Sequence, residues 1–305
     1  MNKKIWLSGS RGFIGSYLKE ALIKSGNILK CVSNSSSEDD SIIFIDFSNK
    51  ESIRKMLDKY GVPDTFIHLG WGNVYDPHNL CHLNENLSDG INLIDELYAN
   101  GVKKILLIGS SSEYGDRVGS LKESYLPSGD INNYVKGKIA LSNYGIESAE
   151  KIGRYFMHIR LFYTYGAGQT HNSLINQLFK ASLSVDDISL SPCEHFRDYI
   201  HVSDAAEGIS ELATIDYTGI INLGSGNVIK LKEFVKLFWK ASKADPSLLK
   251  FGKHDLSSLE QSQPHSFANI SKLISLSNWS PSINIQDGID KTVAQMHEIF
   301  DINNQ

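Results

Sequence analysis

Lys4-Ile5-Trp6-Leu7-Ser8 is followed at once by Gly9-Ser10-Arg11-Gly12-Phe13-Ile14-Gly15, and then by Ser16-Tyr17-Leu18-Lys19-Glu20-Ala21-Leu22-Ile23-Lys24. The first piece reads as a short buried strand. The third has helical periodicity and stops at Ser25-Gly26. Gly9 permits a tight turn, Gly12 lets backbone approach a pyrophosphate, and Gly15 lets the helix pack closely on the strand. The helix N-terminus offers free N–H groups and the positive end of its dipole to an anion. A bare glycine triplet says little. Between a strand and a helix it points to nucleotide binding, with Gly9, Arg11, Gly12, Phe13, Ile14 and Gly15 as candidate contacts.

The pattern then repeats. Strands are expected over Asn27–Val32, Ile42–Phe47, Thr65–Gly70, Lys104–Ile108 and Met157–Phe162. Helices are expected over Lys50–Tyr60, Asn86–Ala99 and from Tyr134 onward. Strands alternating with helices at this spacing imply right-handed crossovers and a parallel sheet covered on both faces. Ligands then bind at the carboxyl ends of the strands. Phe47 and Leu69-Gly70-Trp71 stand at such ends.

The second strand runs into Ser33-Asn34-Ser35-Ser36-Ser37. An NAD site usually has a carboxylate there for the ribose 2′-hydroxyl. Ser33 and Asn34 would not repel a 2′-phosphate, and Arg11 can reach it with a charge-assisted contact. NADP(H) is therefore favoured and NAD(H) remains possible; the alternative for Arg11 is a solvated loop charge. Glu38, Asp39 and Asp40 read as a solvated turn.

Tyr134 and Lys138 lie four apart, on one face of a helix. An ammonium beside a phenol favours the phenolate and lowers the tyrosine pKa. Such a phenol can exchange a proton with a sugar hydroxyl or carbonyl.

These features in order resemble the extended short-chain dehydrogenase/reductase family of nucleotide-sugar epimerases, dehydratases and ketoreductases. Asp46-Phe47, His68-Leu69-Gly70, Asn86, Gly109-Ser110-Ser111-Ser112-Glu113-Tyr114-Gly115, Arg160 to Gln169, Arg197 to Asp204, Asn222 to Gly226 and Asn278 to Pro281 carry it further. The resemblance implies a Rossmann α/β fold, a doubly wound parallel sheet over residues 1–165, with a smaller α/β substrate domain over 166–305. A segment near 200–215 would return to the first domain. It also assigns roles. Ser110, Tyr134 and Lys138 would be catalytic, with Ser111 the alternative to Ser110. Lys138 would hold the nicotinamide ribose, and Asp46 the adenine amino group unless it only forms a turn. Ser111, Ser112, Tyr163, Arg197 and His265 would meet a nucleotide-diphosphate sugar. Arg197 could instead pair internally with Asp198 or Asp204. The resemblance further implies a homodimer through the Asn86–Ala99 and Tyr134–Lys151 helices.

Departures narrow the reaction. Ser111 and Ser112 stand where the 4,6-dehydratases carry an acid and a base, and Glu113 is one place too late. Ser112 replaces the cysteine of the GDP-fucose synthases. The expectation is NADPH-dependent reduction of a nucleotide-linked 4-keto-6-deoxyhexose or keto-heptose, in deoxysugar synthesis. The alternatives are a 4-epimerase retaining NAD, and a non-catalytic cofactor sensor.

Composition excludes other classes. The chain has 305 residues and a formal charge of -5, without a basic stripe, so nucleic acid is not an expected partner. No apolar run approaches the roughly 20 residues of a membrane span. No signal peptide precedes the first strand, which gives a cytoplasmic expectation. Cys31, Cys81 and Cys193 are too scattered for disulfides or zinc. No histidines show metal-ligand spacing, and His78 and His82 read as a surface loop or helix start.

Overall fold

A computed structural model describes residues 3–35, 39, 41–184, 186–254 and 265–303. Its main sheet has seven strands: β1 (Lys4–Ser8), β2 (Ile28–Ser33), β3 (Ile42–Phe44), β4 (Thr65–His68), β5 (Lys104–Ser110), β6 (Tyr155–Leu161) and β7 (Gly219–Leu223). Burial alternates with period two. Ile5, Leu7, Ile67, Leu106, Ile108, Met157 and Ile159 face one side. Trp6, Phe66, Ile105, Leu107 and Phe156 face the other. Both faces are apolar, so both must be covered by helices.

The helices are α1 (Phe13–Lys24), α2 (Lys50–Tyr60), α3 (Cys81–Ala99), α4 (Asn133–Ile152), α5 (Leu174–Ser182), α6 (Val202–Leu212), α7 (Leu231–Ala241), α8 (Ser271–Ser277) and α9 (Ile285–Asn303). Leu18 and Leu22 of α1, Ile209 and Leu212 of α6, and Leu273 of α8 cover the first face. Ile53 and Leu57 of α2, Leu93 and Leu97 of α3, and Leu141 of α4 cover the second. Each such side chain contributes about 1.5–3 kcal/mol by leaving water. A separate core joins Leu178 and Phe179 of α5, Phe234, Phe238 and Trp239 of α7, and Ile289 and Val293 of α9.

The strand order is β7-β6-β5-β4-β1-β2-β3, with every neighbour parallel. This is the Rossmann-like, doubly wound α/β fold. The order reverses between β1 and β4, which opens a crevice at their carboxyl ends.

Three elements differ from expectation. β3 stops at Phe44: Ile45 donates its N–H to Ser33 O at 2.8 Å, the last bond to β2, and the chain then turns at Asp46, which accepts from Ser48. α3 begins at Cys81 rather than Asn86. β7 adds an edge strand beside β6, and Ile270, Leu276 and Trp279 also pack on the first core. The chain therefore crosses back to the main sheet over much more than the 200–215 segment.

Two buried carboxylates tie these crossings down. Asp198 accepts the N–H groups of Ser225 (2.7 Å), Gly226 (3.0 Å) and Ala268 (2.9 Å). Asp204 accepts those of Ser282 (3.0 Å) and Ile283 (2.9 Å). Among the described residues, no helix is long and apolar enough to cross a membrane.

Candidate active site

The glycine loop sits at the reversal point. Gly9 has φ +76°, and a Cβ on Gly15 would lie 2.0 Å from the Gly9 carbonyl oxygen. Only glycine allows that approach. Gly12 precedes α1, and no side chain caps its first turn. A cavity of about 270 Å³ opens above it, lined on one side by Ser10, Arg11, Ser33 and Asn34 and on the other by His68, Gly70, Trp71 and Asn86. Glycine backbone, a bare helix N-terminus and a cleft beside β1, β2 and β4 fit a dinucleotide.

Arg11 donates from Nη2 to the hydroxyls of Ser33 (3.2 Å) and Ser35 (2.6 Å). It is therefore directed at the end of β2. Asp46 accepts the Ser48 N–H at 3.0 Å and the Ser48 hydroxyl at 2.6 Å, which forms a turn. Phe47 lines the cavity. Ser36, Ser37, Glu38 and Asp40 lie outside the described residues.

His68 shows how closed the floor is. Gly70 donates its N–H to Ser8 Oγ at 3.3 Å, and Ser8 Oγ and His68 Nδ1 share a hydrogen bond at 2.7 Å. Burial, with the Lys138 charge, pulls His68 down to about 3 and keeps it neutral.

Ser110 ends β5, and α4 carries Tyr134 and Lys138 one turn apart. Asn132 starts α4 by accepting the Val135 N–H at 3.0 Å. Tyr134 N–H donates to Pro77 O at 2.9 Å, which fixes the first turn against the loop before α3. The Ser110 hydroxyl donates to Ser112 Oγ at 3.1 Å and accepts the Ser112 N–H at 3.1 Å, and it stands near enough to the Tyr134 phenol to favour its ionised form. Ser111 heads the turn that follows and is half-buried, whereas Ser112 is exposed.

The expected lowering of the Tyr134 pKa is not what the geometry gives. Burial and the Glu113 charge push it up to about 12, against the nearby Ser110 hydroxyl. The reason is where Lys138 points. Its Nζ donates to Ile108 O at 2.6 Å and lies 4.2 Å from the Trp71 ring centre, but 5.9 Å from that of Tyr134. Burial pulls Lys138 itself down to about 7, opposed by Glu113.

On the substrate side, Arg197 is buried beneath Tyr163, its guanidinium 5.0 Å from the ring centre. His265 Nδ1 accepts the Phe196 N–H at 3.1 Å. Tyr163 and Arg197 are thus paired, while His265 packs on the neighbouring Phe196. Gln261–Pro264 lie outside the described residues.

Two residues escaped the sequence reading. His82 stands at the start of α3, as one of its two readings had it, but it is fully buried rather than on the surface. Its Nδ1 accepts from Trp71 Nε1 (3.0 Å) and Asn86 Nδ2 (3.2 Å), so Nε2 carries the proton and donates to Asp76 O (2.9 Å). Its ring meets Tyr134 edge-on at 5.5 Å. The spacing of His82 and Asn86, one helical turn, was the available signal. Glu113 is the other. It is fully buried three residues after Ser110; the Ser-x-x-Glu spacing signals its bond to the Ser110 N–H, but not its meeting with His158 and Arg160. Among the described residues, no three His, Cys, Asp or Glu side chains gather as a metal site.

Comparison with known proteins gives a consistent picture. The model of the NAD dependent epimerase/dehydratase family matches residues 5–224. The UDP-glucuronate 4-epimerase of Thermodesulfobacterium geofontis is 25% identical, over 94% of this chain and 94% of its own length. The UDP-glucose 4-epimerase of Thermotoga maritima, solved with UDP-glucose, superposes with TM-score 0.86 at 19% identity, covering 97% of this chain and 99% of that one. The UDP-glucose 4-epimerase of Thermus thermophilus in complex with NAD gives TM-score 0.80 at 20% identity, covering 96% and 99%. At these identities the solved structures speak for the fold.

Proposed function

The chain belongs to the NAD dependent epimerase/dehydratase family, and from that membership we propose that it is a nucleotide-sugar 4-epimerase. The observation that carries this reading is the Ser110–Tyr134–Lys138 group beside a glycine cradle that fits a dinucleotide. The similarity along nearly the whole length to a UDP-glucuronate 4-epimerase favours inversion over the one-way ketone reduction expected from the Gly109–Gly115 stretch. The bound dinucleotide supplies a hydride acceptor and donor.

The chain's own residues handle the proton. Tyr134 takes the proton of the sugar hydroxyl as the C–H hydride leaves, and returns it after the sugar presents its other face. Ser110 donates to the sugar oxygen and steadies its partial charge in both directions. Lys138 holds a positive charge nearby, which matters because Tyr134 starts well above neutral pH. Gly9, Gly12, Phe13, Ile14 and Gly15 hold the pyrophosphate, Asp46 and Phe47 the adenosine, and Leu69, Gly70 and Trp71 the nicotinamide side. Tyr163, Arg197 and His265 hold the nucleotide diphosphate of the substrate. Residues 166–305, less the parts returning to the main sheet, select the sugar. The cofactor of this reading is NAD, as in the complex of the Thermus thermophilus relative.

A second reading, an NADPH-dependent ketoreductase, keeps one specific support. Arg11 is directed at Ser33 and Ser35, and no carboxylate stands at the end of β2. Release of cofactor by denaturing the purified protein separates the two. Bound NAD with sugar inversion supports the epimerase, whereas an empty site with NADPH consumption supports the reductase.

A further inference from the structure

Glu113 has no part in the chemistry above, yet it lies beneath all of it. It is fully buried in the turn Ser111–Tyr114. Its Oε1 accepts the Ser110 N–H at 2.8 Å. Its Oε2 accepts from His158 Nε2 at 2.7 Å and Arg160 Nε at 3.0 Å, both on β6. A Cβ on Gly109 would lie 2.3 Å from Oε1, so the glycine before Ser110 makes room for this carboxylate.

The charges around it are few and all buried. His158 Nδ1 has no partner among the described residues, and Nε2 is the ring nitrogen that meets the carboxylate. Against the cost of burial, His158, Arg160 and the Ser110 N–H together hold the Glu113 carboxyl down at about 2. The Arg160 guanidinium also stacks 4.4 Å from the Tyr114 ring centre, and Tyr114 donates to Asn222 Oδ1 at 2.6 Å. Arg160 Nη1 reaches Glu123 O at 3.5 Å. α4 packs on the Ser111–Tyr114 turn that carries Glu113, and the Glu113 charge raises the titration of both Tyr134 and Lys138; a buried charge acts strongly because little water screens it.

We propose that Glu113 is a positioning residue, which fixes the Ser110 loop and sets the charge balance of Tyr134 and Lys138. The inference rests on the catalytic reading of those three residues. The negative charge keeps Lys138 an ammonium and Tyr134 a phenol. Removing it moves both titrations toward acid. A purely structural role would lower activity without moving either.

The test uses the full chain. Glu113→Gln keeps an acceptor for the Ser110 N–H but leaves Arg160 without its anion. Glu113→Gln with Arg160→Met removes the carboxylate and its guanidinium partner together and serves if the single variant does not fold. The Lys138 ammonium is titrated by NMR of 13C-labelled lysine, with Lys138→Met assigning its signal. kcat/KM for UDP-glucose is followed against pH beside it. The expected result is a Lys138 midpoint lower by about half a unit or more, with both limbs of the rate profile displaced the same way. An unchanged midpoint overturns the proposal, whatever the rates do. A lowered midpoint without any turnover by the wild type upholds the charge coupling and removes the epimerase reading.

Discussion

Tyr134 carries the chemistry of this account, and its environment sets the sign of several outcomes. Tyr134→Phe deletes the proton carrier but keeps the ring contacts with Trp71 and His82. Turnover should fall by about 10²–10⁴-fold, while dinucleotide binding, followed by fluorescence quenching, stays within about two-fold of wild type. Undiminished turnover would remove Tyr134 from the reaction. Lys138 makes a prediction about stability. Its folded value is about 7, against 10.5 for an ordinary lysine. Between those values the unfolded chain binds the extra proton, so stability rises with pH across that window. Lys138→Met abolishes this contribution. Its urea midpoint should therefore be higher relative to wild type near pH 7 than near pH 10. A constant difference between the two proteins would mean that Lys138 is not a desolvated ammonium. Arg11→Ala tests cofactor choice. If Arg11 holds a ribose phosphate, NADP affinity falls by about ten-fold or more while NAD affinity is nearly unchanged; equal losses would assign it to the pyrophosphate.

At the scale of elements, the glycine loop and α1 were legible because their requirement is local. Gly15 is needed where a helix touches the preceding turn, and the sequence states that directly. Gly15→Ala places a Cβ 2.0 Å from Gly9 O, which should cost roughly 1–3 kcal/mol and weaken dinucleotide binding in a titration. Unaltered binding and melting would show that the loop can yield. The strands of the main sheet were legible for a related reason. Residues such as Ile5, Trp6 and Leu7 are all buried, two on one face and one on the other. What was not legible depended on distant partners. Gly219-Ile220-Ile221-Asn222-Leu223 becomes a strand only because β6 lies beside it. Glu113 meets His158 and Arg160 from another strand. His82 stands after a polar loop with Pro77, and its burial comes from α4 packing above it. The depressed Tyr134 value expected from its spacing to Lys138 failed because spacing fixes a shared face, not the direction of Nζ.

Across the whole molecule, the second core is held to the first by crossings rather than by one linker. Asp198 gathers backbone N–H groups from two distant chain segments, Ser225-Gly226 and Ala268. Asp198→Asn turns part of that acceptor into a donor facing N–H groups. It should destabilise the protein by about 1–3 kcal/mol, seen as a lower melting temperature, and weaken UDP-glucose binding more than dinucleotide binding. Equal weakening of both would mean that the crossing supports the fold generally rather than the substrate side. Fold class and cofactor cradle followed from a pattern repeated along the chain. The direction of the reaction did not, because a reductase and an epimerase use the same proton carrier. They differ in whether the dinucleotide stays and whether the sugar turns.

That difference is directly measurable. Purified protein is incubated with UDP-glucose and with UDP-glucuronate, no cofactor added, and the anomeric and C4 proton signals are followed by NMR. The account predicts an equilibrium mixture of C4 epimers from one of these sugars, lost in Tyr134→Phe. No inversion of either, with NADPH oxidised when a nucleotide-linked 4-keto sugar is supplied, would contradict it and restore the ketoreductase.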